Sequence, residues 1–237
     1  MELRKLGNSG INVSVLSLGT MNFGSQIDTE TCYAILDQAI ESGINMIDTA
    51  ELYPVPPDSR TYGKSEEIIG SWLKARSHDK RPIITTKVCG PSYVAPQSAH
   101  VRGGSVNLDK AGIVNAVEAS LTRLGIDHID HLLLHWPSRI VPIFGKNVEI
   151  QDDTREVPID VTVSALAELV REGKIGSYGL SNETPWGLCK FIGVAGELGV
   201  MGPSSIQNSY NLLNRTPVYS LAEAVSYTHL RAHETRE

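Results

Sequence analysis

The stretch Ile129-Asp130-His131-Leu132-Leu133-Leu134-His135 decides how this chain is read. A short run rich in apolar residues has the length and bounds of a buried strand, and it ends on a polar ring, His135. Ahead of it, Asp109 to Leu124 places Ile113, Val117, Leu121 and Leu124 at three- and four-residue spacing, one buried face of a helix. Behind it, Val161 to Glu172 reads as another helix and stops at Gly173. The unit recurs in both directions. Ile44-Asn45-Met46-Ile47 runs into Asp48, and Ile83-Ile84-Thr85-Thr86 into Lys87. Gly176 to Leu180 runs into Ser181-Asn182, and Pro203 to Ile206 into Gln207. Strands alternating with helices imply a mostly parallel sheet. In a parallel α/β barrel the carboxyl ends of all strands meet at one face. Asp48, Lys87, His135, Asn182 and Gln207 are therefore expected to share one pocket of roughly a few hundred cubic ångströms.

The rest of the chain fits this rhythm. Leu3 to Val15 reads as a β-hairpin around Gly7-Asn8-Ser9-Gly10, set outside the barrel at its amino-terminal end. Val15 to Leu18 reads as the first barrel strand, ending at Gly19-Thr20. Thr29 to Ser42 is expected to be a helix capped by Asp28 or Thr29, with Gly43 closing it in a left-handed conformation. Helix two spans about Lys64 to Ala75, and helix five Pro185 to Leu198. Strand ends recur about every 38 residues, so eight units need roughly 310 residues. The expectation is an α/β chain holding the first six βα units of an (α/β)8 TIM barrel, one incomplete domain over residues 1–224 that lacks strands seven and eight. Val225 to Glu237 has no amphipathic stripe and reads as a non-native tail, so His229 and His233 are set aside. Such a fragment is expected to be inactive on its own. Two long loops, Gly90 to Leu108 and Pro137 to Asp160, follow strands and are expected to wall the pocket.

Composition narrows the function. Hydrophobic residues make up 41% and charged residues 20%, ordinary values for a globular domain. A net charge of −6 without a basic run disfavours nucleic acid and anionic membrane as partners. No apolar stretch approaches the ~18 residues of a membrane span, and Met1 to Lys5 lacks the apolar core of a signal peptide. Cys32, Cys89 and Cys189 are odd in number and widely spaced, which fits a reducing, cytoplasmic setting.

The polar residues at the strand ends suit carbonyl reduction, which delivers hydride to carbon and a proton to oxygen. A free tyrosine, with pKa ~10, is a reluctant donor at neutral pH, and a nearby ammonium favours its phenolate. Lys87, held charged by Asp48, is suited to that task, with Tyr53 as general acid. His135 is suited to bonding the developing alkoxide, and the amides of Asn182 and Gln207 to gripping a carboxamide. Asp48-Thr49-Ala50-Glu51-Leu52-Tyr53, Ile84-Thr85-Thr86-Lys87 and Leu134-His135-Trp136-Pro137 together resemble the aldo-keto reductase family. Tyr53-Pro54-Val55-Pro56-Pro57, Ser181-Asn182-Glu183-Thr184, and Ile206-Gln207-Asn208 through Leu213-Asn214-Arg215 resemble its bacterial Tas-like branch. The resemblance covers about Leu3 to Ala224. It implies NADPH as cofactor and an aldehyde or ketone as substrate. It also implies that Ser181 joins the amides on the nicotinamide, and that Thr20, Met21 and Asp48 contact the nicotinamide ribose.

Each residue also has a plainer reading. Asp48 and Lys87 suit a structural ion pair, Tyr53 packing on a proline-rich loop, and His135 a rim histidine bonded to a carbonyl. Asn182 suits a cap for helix five and Gln207 an ordinary strand-end amide. Two other functions share the fold: a cofactor-sensing regulatory subunit, and an aldolase using Lys87 as a Schiff base. The cluster Arg102-Gly103-Gly104 reads as a loop turn, and Cys89 as a small packed thiol. His128 and His131, at strand spacing, point to opposite faces and make no metal site.

Overall fold

The computed structural model describes residues 1–75, 81–104, 106–144, 149, 155–227 and 231–235. Two strands, β1 (Leu3–Lys5) and β2 (Asn12–Ser14), form the expected antiparallel hairpin. The remaining strands are β3 (Leu18–Gly19), β4 (Met46–Asp48), β5 (Ile83–Val88), β6 (Ile129–Leu134), β7 (Ile175–Ser181), β8 (Ser205–Ser209) and β9 (Arg231–Thr235). They form one parallel sheet in sequential order from β3 to β9. Between them run α1 (Thr29–Glu41), α2 (Lys64–Lys74), α3 (Lys110–Leu124), α4 (Ile159–Arg171) and α5 (Pro185–Leu198). Two short helices, α6 (Thr216–Ser220) and α7 (Ala222–Tyr227), precede β9.

Local chemistry sets the helix ends. The Asp28 carboxylate accepts the Thr31 N–H, and Asp109 accepts the Gly112 N–H, each satisfying an orphan donor of the first turn. Thr184 does the same for Gly187, with Pro185 just inside α5. That assignment removes Asn182 from the capping role it was offered. Gly43 follows α1 at φ 85°, where a side chain is strained.

The pleat then sorts side chains between two faces. Ile84 packs among α1 and α2, and Val88, Leu132, Leu134, Tyr178, Leu180 and Ile206 pack among α3, α4 and α5. The alternate residues, Thr85 and Lys87 on β5, His131 on β6, Ser177 and Ser181 on β7, and Ser205 and Gln207 on β8, face the other way and are buried. His131 is satisfied there by the Ser177 and Ser205 hydroxyls, each 2.7 Å from a ring nitrogen. Below this interior the hairpin closes the amino-terminal end. Leu6 and Val13 cluster with Met46, and the Ser204 hydroxyl donates to Asn8 Oδ1 across 2.9 Å.

One expectation changes. The first barrel strand is shorter and later than Val15 to Leu18, because Val15 and Leu16 are exposed and only Leu18 and Gly19 pair with β4. The six strands expected of the barrel are present as β3 to β8, and Arg231–Thr235, inside the segment read as a tail, lies parallel to β8 from Ser205 to Ser209. A ladder is made by backbone groups and needs no apolar stripe, so patterning gives no sign of it.

Candidate active site

The strand ladder continues past the strand ends and fixes the residues beyond them. The Thr49 N–H donates to Thr85 O, the Glu51 N–H to Lys87 O, the His135 N–H to Val88 O and the Asn182 N–H to Gln207 O. Behind them, a knot of hydroxyls ties three elements together. Ser65, in the first turn of α2, has its oxygen 2.8 Å from Thr20 Oγ1 and 3.0 Å from Thr49 Oγ1. The Thr20 hydroxyl donates to Asp48 O. Next along α2, the buried Glu66 carboxylate accepts from the Thr86 hydroxyl and from Arg123 Nε at 2.6 Å. Neither Ser65 nor Glu66 stands out in the sequence as a site residue. The one available sign is a polar pair amid residues of the buried face of α2.

At the carboxyl end of the sheet lies a cavity of about 200 Å³. Gly19, Met21, Asn22, Phe23 and Ile27 line one side, and Ser181, Asn182 and Gln207 the other. Asp48, Tyr53, Lys87 and His135 line it between them. The Lys87 ammonium donates to Asp48 Oδ2 at 2.7 Å, to Thr49 O at 2.9 Å and to the Tyr53 hydroxyl oxygen at 3.2 Å. The His135 ring meets the Tyr53 ring edge-on, with centroids 5.6 Å apart. All residues expected in the pocket line it except Thr20, whose hydroxyl is committed to the knot behind it. Asn182 sits at φ 52° and donates through Nδ2 to His135 O, so it braces the histidine as well as lining the cavity.

Burial opposes the charge on Lys87, but attraction to Asp48 and Tyr53 outweighs it, and the ammonium is held above its ordinary pKa. Burial, with Lys87 nearby, pushes the His135 imidazolium well below its ordinary range. His135 is therefore neutral at pH 7 and retains one N–H donor. Its ring carbons are expected to keep the neutral chemical shift in NMR spectra at pH 6, where a free histidine is mostly charged. A His135 signal titrating near pH 6.5 would contradict this burial.

The long loops close the upper side. Ala95, Val101 and Val106 of the first loop cluster with Val141 and Ile143 of the second around Trp136. Gly90 allows this: a Cβ there would lie 2.4 Å from the Trp136 backbone oxygen and ring. Residues 145–148 and 150–154 of the second loop lie outside the described residues. Cys89 is buried, its thiol pushed well up by burial and then by Glu51, as suits a packed side chain. Among the described residues no cluster of metal-ligating side chains occurs, and no helix is long and apolar enough to cross a membrane.

Residues 15–227 match the aldo/keto reductase family. The chain belongs to that family. It is 39% identical over 233 residues to the protein tas of Escherichia coli, covering 96% of this chain and 65% of that protein. It is 33% identical over 217 residues to the uncharacterized oxidoreductase YrpG of Bacillus subtilis, covering 91% of this chain and 60% of that one. An aldo-keto reductase of Babesia bovis is 42% identical over 144 residues. The chain thus spans 60–65% of the length of these two bacterial relatives. Membership puts the chain on a TIM-barrel plan, seen here as the parallel sheet and its hairpin.

Proposed function

We propose that this aldo-keto reductase reduces an aldehyde or ketone to the alcohol, with NADPH as hydride donor and Tyr53 as general acid. One observation carries the reading. A single buried ammonium, Lys87 Nζ, contacts both the Asp48 carboxylate and the Tyr53 hydroxyl at a cavity wall.

The site fits a nicotinamide. Asp48 Oδ1 is buried and has no hydrogen-bond partner among the described residues, an acceptor suited to a ribose hydroxyl. Ser181, Asn182 and Gln207 bring hydroxyl and amide groups to the opposite wall, suited to a carboxamide. About 200 Å³ is smaller than a pocket for a whole ligand of drug size, so the cavity takes the reacting end alone. The choice of NADP(H) over NAD(H) rests on family likeness.

When bound, the dinucleotide supplies the hydride. The protein's own residues do the rest. Lys87 stabilises negative charge on the Tyr53 oxygen, which eases loss of its proton to the substrate oxygen. Asp48 keeps Lys87 charged. Neutral His135 offers an N–H toward the same oxygen as it becomes an alkoxide. The apolar wall of Phe23, Ile27 and Met21 keeps water from this exchange.

Oxidation of NADPH by the purified protein with a panel of aldehydes and ketones tests the reading. Carbonyl-dependent loss of absorbance with one alcohol formed per NADPH is the expected result. Borohydride trapping of a substrate adduct on Lys87 would instead assign aldolase chemistry, which the Asp48-bound ammonium disfavours. Tight NADPH binding without turnover on any carbonyl would assign a sensing role.

A further inference from the structure

A second buried ion pair, Glu51 with Arg102, anchors the turn that leads to the tyrosine, and neither member lines the cavity. Glu51 is fully buried in the turn between Asp48 and Tyr53. Its Oε1 accepts the Cys89 N–H at 2.7 Å, and Arg102 Nη2 at 3.2 Å. Its Oε2 accepts Arg102 Nε at 3.0 Å. Arg102 spends its remaining nitrogen, Nη1, on Gly112 O in the first turn of α3, at 2.8 Å. One carboxylate thus bridges the turn, the end of β5 and the long loop after it, and the guanidinium extends the bridge to α3.

The arrangement is costly in two ways. Burial raises the Glu51 carboxyl above its ordinary range, and Arg102 opposes that rise. Arg102 also holds φ 49°, a left-handed conformation that a long side chain rarely adopts. Such costs persist where surrounding structure enforces them, and they concentrate near working sites. The turn itself is short. Thr49 anchors its start, through its N–H to Thr85 O and through its carbonyl, which accepts from Lys87; nearer Tyr53, the Glu51 N–H donates to Lys87 O and the Tyr53 N–H to Ala50 O. Tyr53 follows Glu51 by two residues, and its oxygen is 3.2 Å from Lys87 Nζ, near the outer limit of a hydrogen bond. A displacement of about 1 Å breaks that contact.

Resting on the carbonyl-reductase reading, we infer that Glu51 and Arg102 are a positioning pair that holds the Tyr53 hydroxyl against Lys87. Through Arg102 the pair also makes the placement of Tyr53 depend on the docking of the loop 90–108. Tyr53 meets Lys87 of β5, which is itself bonded to Asp48 of β4, and the ring of His135 beyond β6. Those facing Glu51 are Arg102, Cys89, Glu66 and Arg123.

The test reads the phenol directly. Tyrosine labelled with ¹³C at the ζ carbon gives one signal per residue, and Tyr53→Phe assigns the Tyr53 signal. In the unaltered protein Tyr53 is expected to titrate below the other tyrosines, because Lys87 favours its phenolate. In Arg102→Ala the same signal is expected to titrate at least about one pH unit higher, as the hydroxyl leaves Lys87. Turnover should fall about tenfold or more, while NADPH affinity, read by quenching of protein fluorescence, stays within about twofold. Glu51→Gln, which keeps the size and the acceptor for Cys89, serves as the second variant should Arg102→Ala fold poorly. It is expected to shift the phenol in the same direction. A low Tyr53 pKa that neither variant moves would overturn the positioning role and leave the reductase reading intact. A Tyr53 that titrates with the other tyrosines in the unaltered protein would overturn that reading itself.

Discussion

Tyr53→Phe is expected to lower carbonyl turnover by roughly 10²-fold or more while NADPH binding is retained. The substitution deletes one oxygen. That oxygen lies 3.2 Å from the Lys87 ammonium and is the proposed proton donor. General acid catalysis by a placed side chain is worth about 10²–10⁴-fold, so its removal sets the size of the loss. The fold should change little, because one hydrogen bond contributes about 1 kcal/mol. Steady-state turnover on an unactivated aldehyde, beside a cofactor titration, is the measurement. Near-normal turnover in this variant moves the acid role to another residue.

Lys87→Met should be more damaging, because it acts on both catalysis and stability. Lys87 and Asp48 are both buried, and Lys87 Nζ donates to Asp48 Oδ2 at 2.7 Å. Methionine fills the space but leaves the carboxylate without its counter-charge. Removing one partner of a buried pair costs about 3–5 kcal/mol, a large share of the stability of one domain. Activity should fall below detection, since both the charged partner of Tyr53 and the neutraliser of Asp48 are gone. Urea unfolding measures the stability cost. A variant as stable as the parent would show that Asp48 and Lys87 are not energetically coupled. The double variant Lys87→Met, Asp48→Asn should recover part of the stability and none of the turnover, which separates the two roles.

Much of this architecture was legible because it is local. The helix read at Pro185 to Leu198 and the strand read at Ile129 to Leu134 have those bounds in the structure. Their periods and end residues lie within a few positions of each other. The first barrel strand was misplaced for a complementary reason. Val15 and Leu16 are apolar, yet they stand exposed between hairpin and sheet, and pairing with β4 is a tertiary fact. Thr20 carries a side chain suited to a ligand, and only the structure shows its hydroxyl engaged with Ser65 and Asp48 O. Glu51 and Arg102 are separated by 51 positions, so no short-range pattern joins them, and the turn-like Arg102-Gly103-Gly104 conceals an anchor. Polar residues that face a cavity were legible at the strand ends. Polar residues that brace those from behind were not, because their partners come from distant elements.

The hairpin under the sheet has a consequence for the order of assembly. Asn8 meets Ser204 across 196 residues of sequence. A ribosome adding about 5–20 residues per second needs roughly 10–40 s to deliver the second after the first. During that interval Leu6 and Val13 have only Met46 and its neighbours to shield them. The hairpin thus leaves the ribosome well before the strand that completes its enclosure, and closing so long a loop is a slow, entropically opposed event.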